Sequence, residues 1–445
     1  MRRGCILRGL WYDWVSGKKL IDTTRPNRMQ LKTILNRIQK HRSFVYGEAR
    51  LYEDGGRLCL DVELRARANG RPQCSGCARS RPGYDTLAPR RFEFIPLWGI
   101  AVYFVYAMRR VECPTCGVVV EAVPWGSGKH QSTTTYVWFL ARWAKRMSWS
   151  EVAQAFRTSW ERVFRAVEMA VRWGLQHRQL GGVGAIGVDE VLWRRGYKFL
   201  TVVYQIDKGV RRLLWVGEDR KAKTLLRFFR WFGSERSAQL RFICSDMWQP
   251  YLKVIARKAS GAIHVLDRFH IMTHMSKAID EVRAKEAKRL KAAGYEPVLT
   301  GTRFCLLKRP ENLTESQEIK LAELLKYNLG TVRAYLLKED FRFFWNYVSP
   351  AWAGKFLDRW CTRTMRSRLD AMKRVARMLR NHRELLLNWF RARGAISAAA
   401  VEGLNNKLKV TTRKAYGFRS FRAMDIALYH ALGQLPEPNS THRFC

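Results

Sequence analysis

Four cysteines stand in two CxxC pairs, Cys74 and Cys77 in PQCSGC, Cys113 and Cys116 in ECPTCG. Each pair sets two thiolates on one tight turn, and two such knuckles complete a tetrahedral Zn²⁺ site. Four protein ligands close the site, so the ion's expected role is structural. Carboxylates suggest a second, different chemistry. Asp189 lies inside a strand-like run, AIGVDEV, and Asp246 ends another, RFICSD. Side chains alternate along a strand, so Asp189 and its neighbour Glu190 must face opposite ways. The pattern of Ile186 and Val188 against Gly187 and Asp189 does not decide which acid joins a site. Glu402 stands in AISAAAVEGLNNKLKVTTRK, where Val401, Leu404 and Leu408 form an apolar stripe. Glu402, Asn405, Asn406 and Lys409 form a polar stripe at i, i+3, i+4, i+7, which suits a helix touching both metal and phosphate. The plainer reading of such a stripe is a solvated helix face. Asp267, in HVLDRFH, is a rival acid at a strand end. With His270 one turn on it either supports a metal shell or caps the following helix.

The elements that must position these acids are legible as an alternation of strand and helix. AIGVDEV, GYKFLTVVYQID and VRRLLWVGED read as three strands, the latter two joined at Asp207-Lys208-Gly209. A helix, KAKTLLRFFRWF, precedes a fourth strand, RFICSD, and another helix leads to a fifth, AIHVLD. Three antiparallel strands followed by alternating helix and strand match a ribonuclease-H-like order, in which the first and fourth strands are neighbours. Asp189 and Asp246 would then share metal. From about Met272 to Trp389 nearly everything reads as Lys/Arg-rich helix. Its aromatics, Phe341, Phe343, Phe344, Trp345, Tyr347, Trp352, Phe356 and Trp360, are expected mostly in a core, with one or two free to stack on an unpaired base.

Upstream, Ser43 to Arg67 alternates around a Gly-Gly turn and predicts a β-hairpin. β-like stretches between the cysteine pairs fit a zinc ribbon, and Arg90, Arg91, Arg109 and Arg110 would give it a phosphate-facing surface. Ser148-Trp149-Ser150-Glu151 and Thr158-Ser159-Trp160-Glu161 read as two capping boxes. The second opens a helix with Trp160, Val163, Phe164 and Val167 on one side. Two short capped helices after a longer one resemble a helix-turn-helix that offers Arg162 and Arg165 to DNA.

Charge and cysteine usage bound the setting. The 445 residues carry 81 Lys+Arg against 38 Asp+Glu, a formal net charge of +43. A field of that sign attracts a polyanion, and nucleic acid is the commonest such partner. No run approaches the ~18 apolar residues of a membrane helix, and the start has no signal-peptide pattern. A cytoplasmic protein, associated with the nucleoid when bound to DNA, is expected. The other six cysteines, Cys5, Cys59, Cys244, Cys305, Cys361 and Cys445, are scattered and read as reduced thiols.

GVDE, SDMW, DRFH and above all VEGLNNKLK with RKAYGFRSF resemble the ISL-three family of DDE transposases. The upstream CPTCG and VPW, the downstream ENLTESQ and the terminal HRF add to the likeness, which spans roughly residues 45 to 445. The resemblance implies an α/β, multidomain chain: a ribonuclease-H-like core with a long helical insertion, preceded by a zinc ribbon and a helix-turn-helix. The expected divisions are a basic extension (1–42), the zinc ribbon (43–130) and the helix-turn-helix (131–180). The core's first part (181–275), the insertion (276–394), the core's final helix (395–432) and a tail (433–445) follow. The resemblance also implies that the metal-binding acids are Asp189, Asp246 and Glu402. Hard oxygen ligands of this kind favour Mg²⁺ or Mn²⁺, and two such ions explain cutting and joining without a nucleophilic side chain.

Asp267 and His270 would lie behind the metal ligands. DNA contacts are expected at Arg162, Arg165, Asn405, Asn406, Lys409 and Arg413. The partners would be the double-stranded element ends and target, with a homodimer or larger assembly in synapsis. Two rival readings use less of the sequence. A zinc-ribbon and helix-turn-helix regulator has no need of acids at strand ends, and a nuclease without joining has little use for an end-reading module.

Overall fold

A computed structural model describes residues 30–126, 128, 130–194, 198–395, 398–415 and 417–439. The first 29 residues of the expected extension, Cys5, Cys445 and the terminal HRF lie outside the described residues. Among those described, residues 30–170 with 437–439 form one compact unit and 171–436 a second.

The first unit opens with a short helix, α1 (Leu31–Ile38), and the expected hairpin, β1 (Phe44–Asp54) and β2 (Arg57–Ala66). Gly55 and Gly56 both have positive φ, 56° and 74°, as a two-residue type I′ turn demands. β3 (Gly83–Leu97) and β4 (Ile100–Cys113) form a second, longer hairpin, and β5 (Gly117–Val120) pairs back onto β4. The sheet order is β1-β2-β4-β3, with β2 and β4 parallel. Its centre is Trp125, fully buried, with Phe44 and Tyr106 edge-on at 4.7 and 5.4 Å. α2 (Thr134–Arg146), α3 (Trp149–Ala155) and α4 (Trp160–His177) follow. The Thr133 hydroxyl caps α2, and Glu437 accepts from Arg142 and Lys145 of that helix.

The capping box at the start of α3 forms as expected: Ser148 N donates to Glu151 and Glu151 N to the Ser148 hydroxyl. The second does not. Ser159, not Thr158, caps α4 by accepting from Arg162 N at 3.2 Å, and Glu161 instead pairs with Arg165 one turn on. The buried side of α4 is correspondingly Val163, Ala166, Val167 and Ala170, while Trp160 is exposed.

The second unit holds a five-stranded sheet. β6 (Ala185–Arg194), β7 (Lys198–Asp207) and β8 (Val210–Glu218) form an antiparallel meander. After α5 (Ala222–Phe232) and α6 (Ser234–Ala238), β9 (Phe242–Ser245) adds parallel to β6. α7 (Gln249–Lys258) then crosses to β10 (Ile263–Leu266), which lies parallel to β9. The order is β10-β9-β6-β7-β8, so the first and fourth strands of the unit are neighbours.

One face of this sheet is a hydrophobic core in which Ile186, Val188, Val203 and Leu214 meet Leu225, Phe228 and Phe232 of α5 and Tyr251, Val254 and Ile255 of α7. Between the last strand and residue 391 the chain is mostly helix: α8 (Arg268–Ala292), α9 (Arg303–Leu307), α10 (Glu315–Leu324), α11 (Gly330–Arg342), α12 (Pro350–Met365), α13 (Asp370–Asn381) and α14 (Arg383–Arg391), with 293–302 the longest connection. These helices share their own core around Phe341, Phe344, Trp360 and Met372. α15 (Ala398–Lys414) and α16 (Phe421–Leu432) return to the sheet's second face. No helix among the described residues is long and apolar enough to cross a membrane.

Candidate functional site

Which side of β6 each acid takes is decided by a glycine. A Cβ on Gly187 would come 2.4 Å from Val401 Cγ2, so α15 approaches the strand more closely than any side chain there would allow. Gly187 therefore faces α15, and Asp189, two residues on, shares that face. One turn after Val401, Asn405 donates its amide to Asp189 Oδ2 and accepts from the buried Tyr204 hydroxyl at 2.9 Å. The other Asp189 oxygen accepts from Glu190 N at 2.7 Å. Burial raises the Asp189 carboxyl above its usual range, the charge of Asp246 adds to this, and the hydrogen bonds from Glu190 N and Asn405 oppose it.

Asp246 follows β9 directly. β6 and β9 run parallel with Gly187 opposite Cys244, so each acid lies two residues beyond a paired position. Oδ1 of Asp246 accepts from Trp248 N at 3.0 Å, which closes the turn into α7. Glu190 takes the opposite side from Asp189. Its Oε2 lies 2.5 Å from Arg220 Nε, and the same guanidinium reaches to 3.9 Å from Asp246 Oδ2. Burial first, then Asp246, pushes the Glu190 carboxyl up to about 8 against the pull of Arg220.

Asp267 is buried at the end of β10 and caps α8, accepting from Phe269 N at 2.8 Å. Its second oxygen meets His270 Nδ1 at 2.8 Å. That hydrogen bond raises the His270 pKa, and the charges of Asp189 and Asp246 add to it, so His270 sits within the field of both acids. Asp267 thus caps a helix, one of the two readings considered for it, and its other oxygen orients the His270 ring.

Glu402, beside Val401 on α15, is exposed. Among the described residues, the four cysteines are the one set of three or more His, Cys, Asp or Glu whose ligand atoms all lie within 4.8 Å. The arrangement brings Asp189 and Asp246 under each other's influence but does not draw Asp189, Asp246 and Glu402 to that spacing. Asn406, Lys409 and Arg413 are exposed on α15. Asn405, expected with them at the DNA, is instead turned inward, because Asp189 and Tyr204 use its amide.

The cysteines of the first unit fit a zinc ion. A tetrahedral site with Zn–S of about 2.3 Å spaces its sulfurs by roughly 3.8 Å, and Cys77 Sγ lies 3.7 Å from Cys113 Sγ. Gly76 makes room for the cluster: a Cβ there would come 2.8 Å from Cys116 Sγ. Cys59, Cys244, Cys305 and Cys361 are free and buried. The arginines expected to face phosphate on this module are engaged within it. Arg109 pairs with Glu121 at 2.7 Å, Arg110 with Asp85 and Arg91 with Asp61, and Arg90 donates to His130 O. Arg162 likewise pairs with the buried Glu93 of β3, which leaves Arg165 the more exposed of the two.

Arg220 and Tyr204 were not legible as site residues, since each joins the acids through tertiary contacts alone, and so does the ring of Trp248 against Arg220, although Trp248 N bonds Asp246 locally. Gly187 carried a signal: a lone glycine in a buried strand marks close approach of another backbone or side chain.

The comparisons with known proteins define the family. Residues 186–428 match the ISL3 DDE family model, described as Transposase. The chain is 30% identical over 418 residues to the Mycobacterium tuberculosis protein "Transposase for insertion sequence element IS1557", covering 87% of this chain and 92% of that one. It is 28% identical over 375 residues to the Bordetella parapertussis protein "Transposase for insertion sequence element IS1001", covering 82% and 90%. This chain belongs to the ISL3 family of insertion-sequence transposases.

Proposed function

We propose that this chain binds the terminal inverted repeats of its insertion sequence and cuts and joins DNA at a DDE site made by Asp189, Asp246 and Glu402. The observation that carries this is the adjacency of β6 and β9 in the order β10-β9-β6-β7-β8, with Asp189 on β6 and Asp246 just past β9 each two residues beyond the pair Gly187 and Cys244. That order is the one a ribonuclease-H-like core requires, so the 181–275 segment with the final helix (395–432) reads as the core and 276–394 as its insertion.

The donor set suits hard divalent cations: carboxylate oxygens, half-buried at Asp189 and Asp246 and exposed at Glu402, with Asn405 and Trp248 N fixing one oxygen of Asp189 and one of Asp246. Mg²⁺ or Mn²⁺ held there would activate the attacking oxygen and offset charge on the leaving one. The chain's own part is positional. Asn405 ties α15, and with it Glu402, to the strand that bears Asp189. Asp267 fixes the ring of His270 through Nδ1, within the field of Asp189 and Asp246. The 43–130 module, held by structural zinc, and α2 to α4, read as a helix-turn-helix over 131–180, would bind the repeat, with the net charge of +43 supplying non-specific affinity. Two ends must be cut together, so at least a dimer is expected on DNA.

The test is cleavage and joining of a labelled element end with Mg²⁺, comparing wild type with Asp246→Asn. Cutting and joining by wild type, with a variant that binds the end but does neither, supports the reading. Equal cutting by both proteins removes Asp246 from the site.

A further inference from the structure

The Glu190–Arg220 pair is more than a neutralised buried charge. Glu190 is 7% exposed at the side chain, and its Oε1 is buried with no hydrogen-bond partner. Arg220 is 36% exposed, so the pair has one sealed end and one open end. The guanidinium lies over the Trp248 ring at 4.7 Å and is flanked by Phe199 at 5.8 Å. The root of the side chain is fixed as well. Asp219, just before it, has φ of 76° and is held to β7 by two hydrogen bonds, Asp219 N to Phe199 O at 3.0 Å and the Thr201 hydroxyl to Asp219 O at 2.6 Å. A planar fork is thus clamped by a carboxylate, a ring and a pinned backbone, and its free edge stands 3.9 Å from Asp246.

We propose that Arg220 is a phosphate-binding residue of the active site, donating to a non-bridging oxygen of the reacting phosphodiester, and that Glu190 and Trp248 position it. This rests on the reading that Asp246 is an acid of the active site. A cation placed among acids that must receive a polyanion answers the charge of both. Arginine does so with directed donors where lysine offers only a point charge. Nε is buried beside Glu190 in the ion pair, so the Nη donors are the ones that can meet phosphate. Donors aimed at the oxygens where charge gathers in displacement are the arrangement that stabilises its transition state.

The experiment uses the full chain and two otherwise identical end duplexes, one carrying a neutral methylphosphonate at the scissile position. Competition binding is read without added Mg²⁺ or Mn²⁺, so that catalysis does not enter and the structural zinc stays in place. Wild type should prefer the charged duplex by about 10-fold or more, the worth of one charge-assisted hydrogen bond. A Glu190→Gln/Arg220→Gln variant, which strands no buried charge, should show less than about twofold preference while keeping its melting temperature. Arg220→Lys is the variant to read if the double one does not fold, and it should lose most of the preference. Glu190→Gln alone should weaken the preference, and should add nothing in the Arg220→Gln background. Full preference in whichever Arg220 variant folds overturns the proposal, as does a wild type that does not distinguish the duplexes. Cleavage by wild type and Asp246→Asn, run alongside with Mg²⁺, separates the two failures: loss of cutting only in Asp246→Asn keeps the active-site reading even where Arg220 fails.

Discussion

Asn405 on α15 hydrogen-bonds the carboxylate of Asp189 on β6, 216 residues earlier in the chain. Because the same amide accepts from the buried Tyr204 hydroxyl, it joins two strands of the sheet and the helix that carries Glu402. Asn405→Ala should therefore cost about 1–3 kcal/mol, the penalty of leaving a buried hydroxyl unpaired. It should also slow end cleavage by roughly 10–100-fold, the usual effect of removing a residue that orients a ligand. Affinity for the end should hold. Urea melts, binding and cleavage of one preparation check this, and unchanged cleavage would show that Asp189 needs no such support.

The contact between Gly187 and Val401 gives a reciprocal test. Gly187→Ala places a methyl 2.4 Å from Val401 Cγ2, so α15 must shift or the strand must bend. Overpacking of this kind costs typically about 1–3 kcal/mol. Val401→Ala removes the clashing methyl, so the double variant should recover more than half of the stability and cleavage that Gly187→Ala loses. Additive losses in the double variant would mean that the helix does not seat on that glycine.

These two relationships also show what a linear reading can and cannot reach. The five strands of the second unit were legible because β-branched runs alternate with turn residues and helix-period stretches. So were the cysteine knuckles and the Gly55-Gly56 hairpin, where the local pattern suffices. The side of β6 that Asp189 takes was not, because Val401 decides it from the far end of the chain. Asn405 looked like part of a solvated stripe for the same reason, although it sits beside Leu404 and near the edge of the buried face. The cap of α4 moved by one residue because Thr158 and Ser159 are adjacent hydroxyls that both fit a helix start. The paired arginines of the ribbon segment were visible as charge, but their partners Asp61, Asp85 and Glu121 come from neighbouring strands.

The cysteine cluster predicts a metal content. Purified chain should carry one zinc, measured by mass spectrometry of the metal, and Cys113→Ser should lose it. With structural zinc removed, the sheet of the first unit should unfold, since β4 and β5 meet at the pair Cys113 and Gly117. End binding should fall with it, whereas the second unit, with its own core, should keep its helical signal. Full end affinity in a zinc-free variant would overturn the structural role.

His41 makes stability depend on pH. It is buried against Tyr46 and Trp125, and burial lowers its pKa to about 4 from the ordinary 6.5. Between those values the unfolded chain binds a proton that the folded one refuses, so stability falls as pH drops from 6.5 toward 4. The ceiling is about 3 kcal/mol. His264, in the other unit, is also held down to about 4 by burial and adds a similar slope. The measurement is thus the difference between wild type and His41→Phe, which should unfold less steeply on acidification. Identical pH profiles would mean that His41 charges freely in the folded state.

The insertion's aromatics divide by exposure, and the division sorts their roles. Trp360 is buried and donates its indole N–H to Leu337 O at 2.9 Å, whereas Phe343 and Trp352 are 60% and 58% exposed. Lys355 stands 4.5 Å from the Trp352 ring centre, which gives that ring a cationic neighbour as a nucleic-acid stacking platform requires. Trp360→Ala should cost about 3–5 kcal/mol of stability. Trp352→Ala and Phe343→Ala should leave the melting temperature within a degree or two, since surface changes away from special features are worth about 0.5 kcal/mol or less. If either ring stacks on an unpaired base at a cut end, its loss removes about 1–3 kcal/mol of contact. Cleavage at the end should then fall about 5–150-fold while affinity for intact duplex is kept. Placing an abasic nucleotide at the cut end should produce the same loss in wild type and no further loss in the variant. Normal cleavage by both variants would return these rings to the ordinary exposed surface.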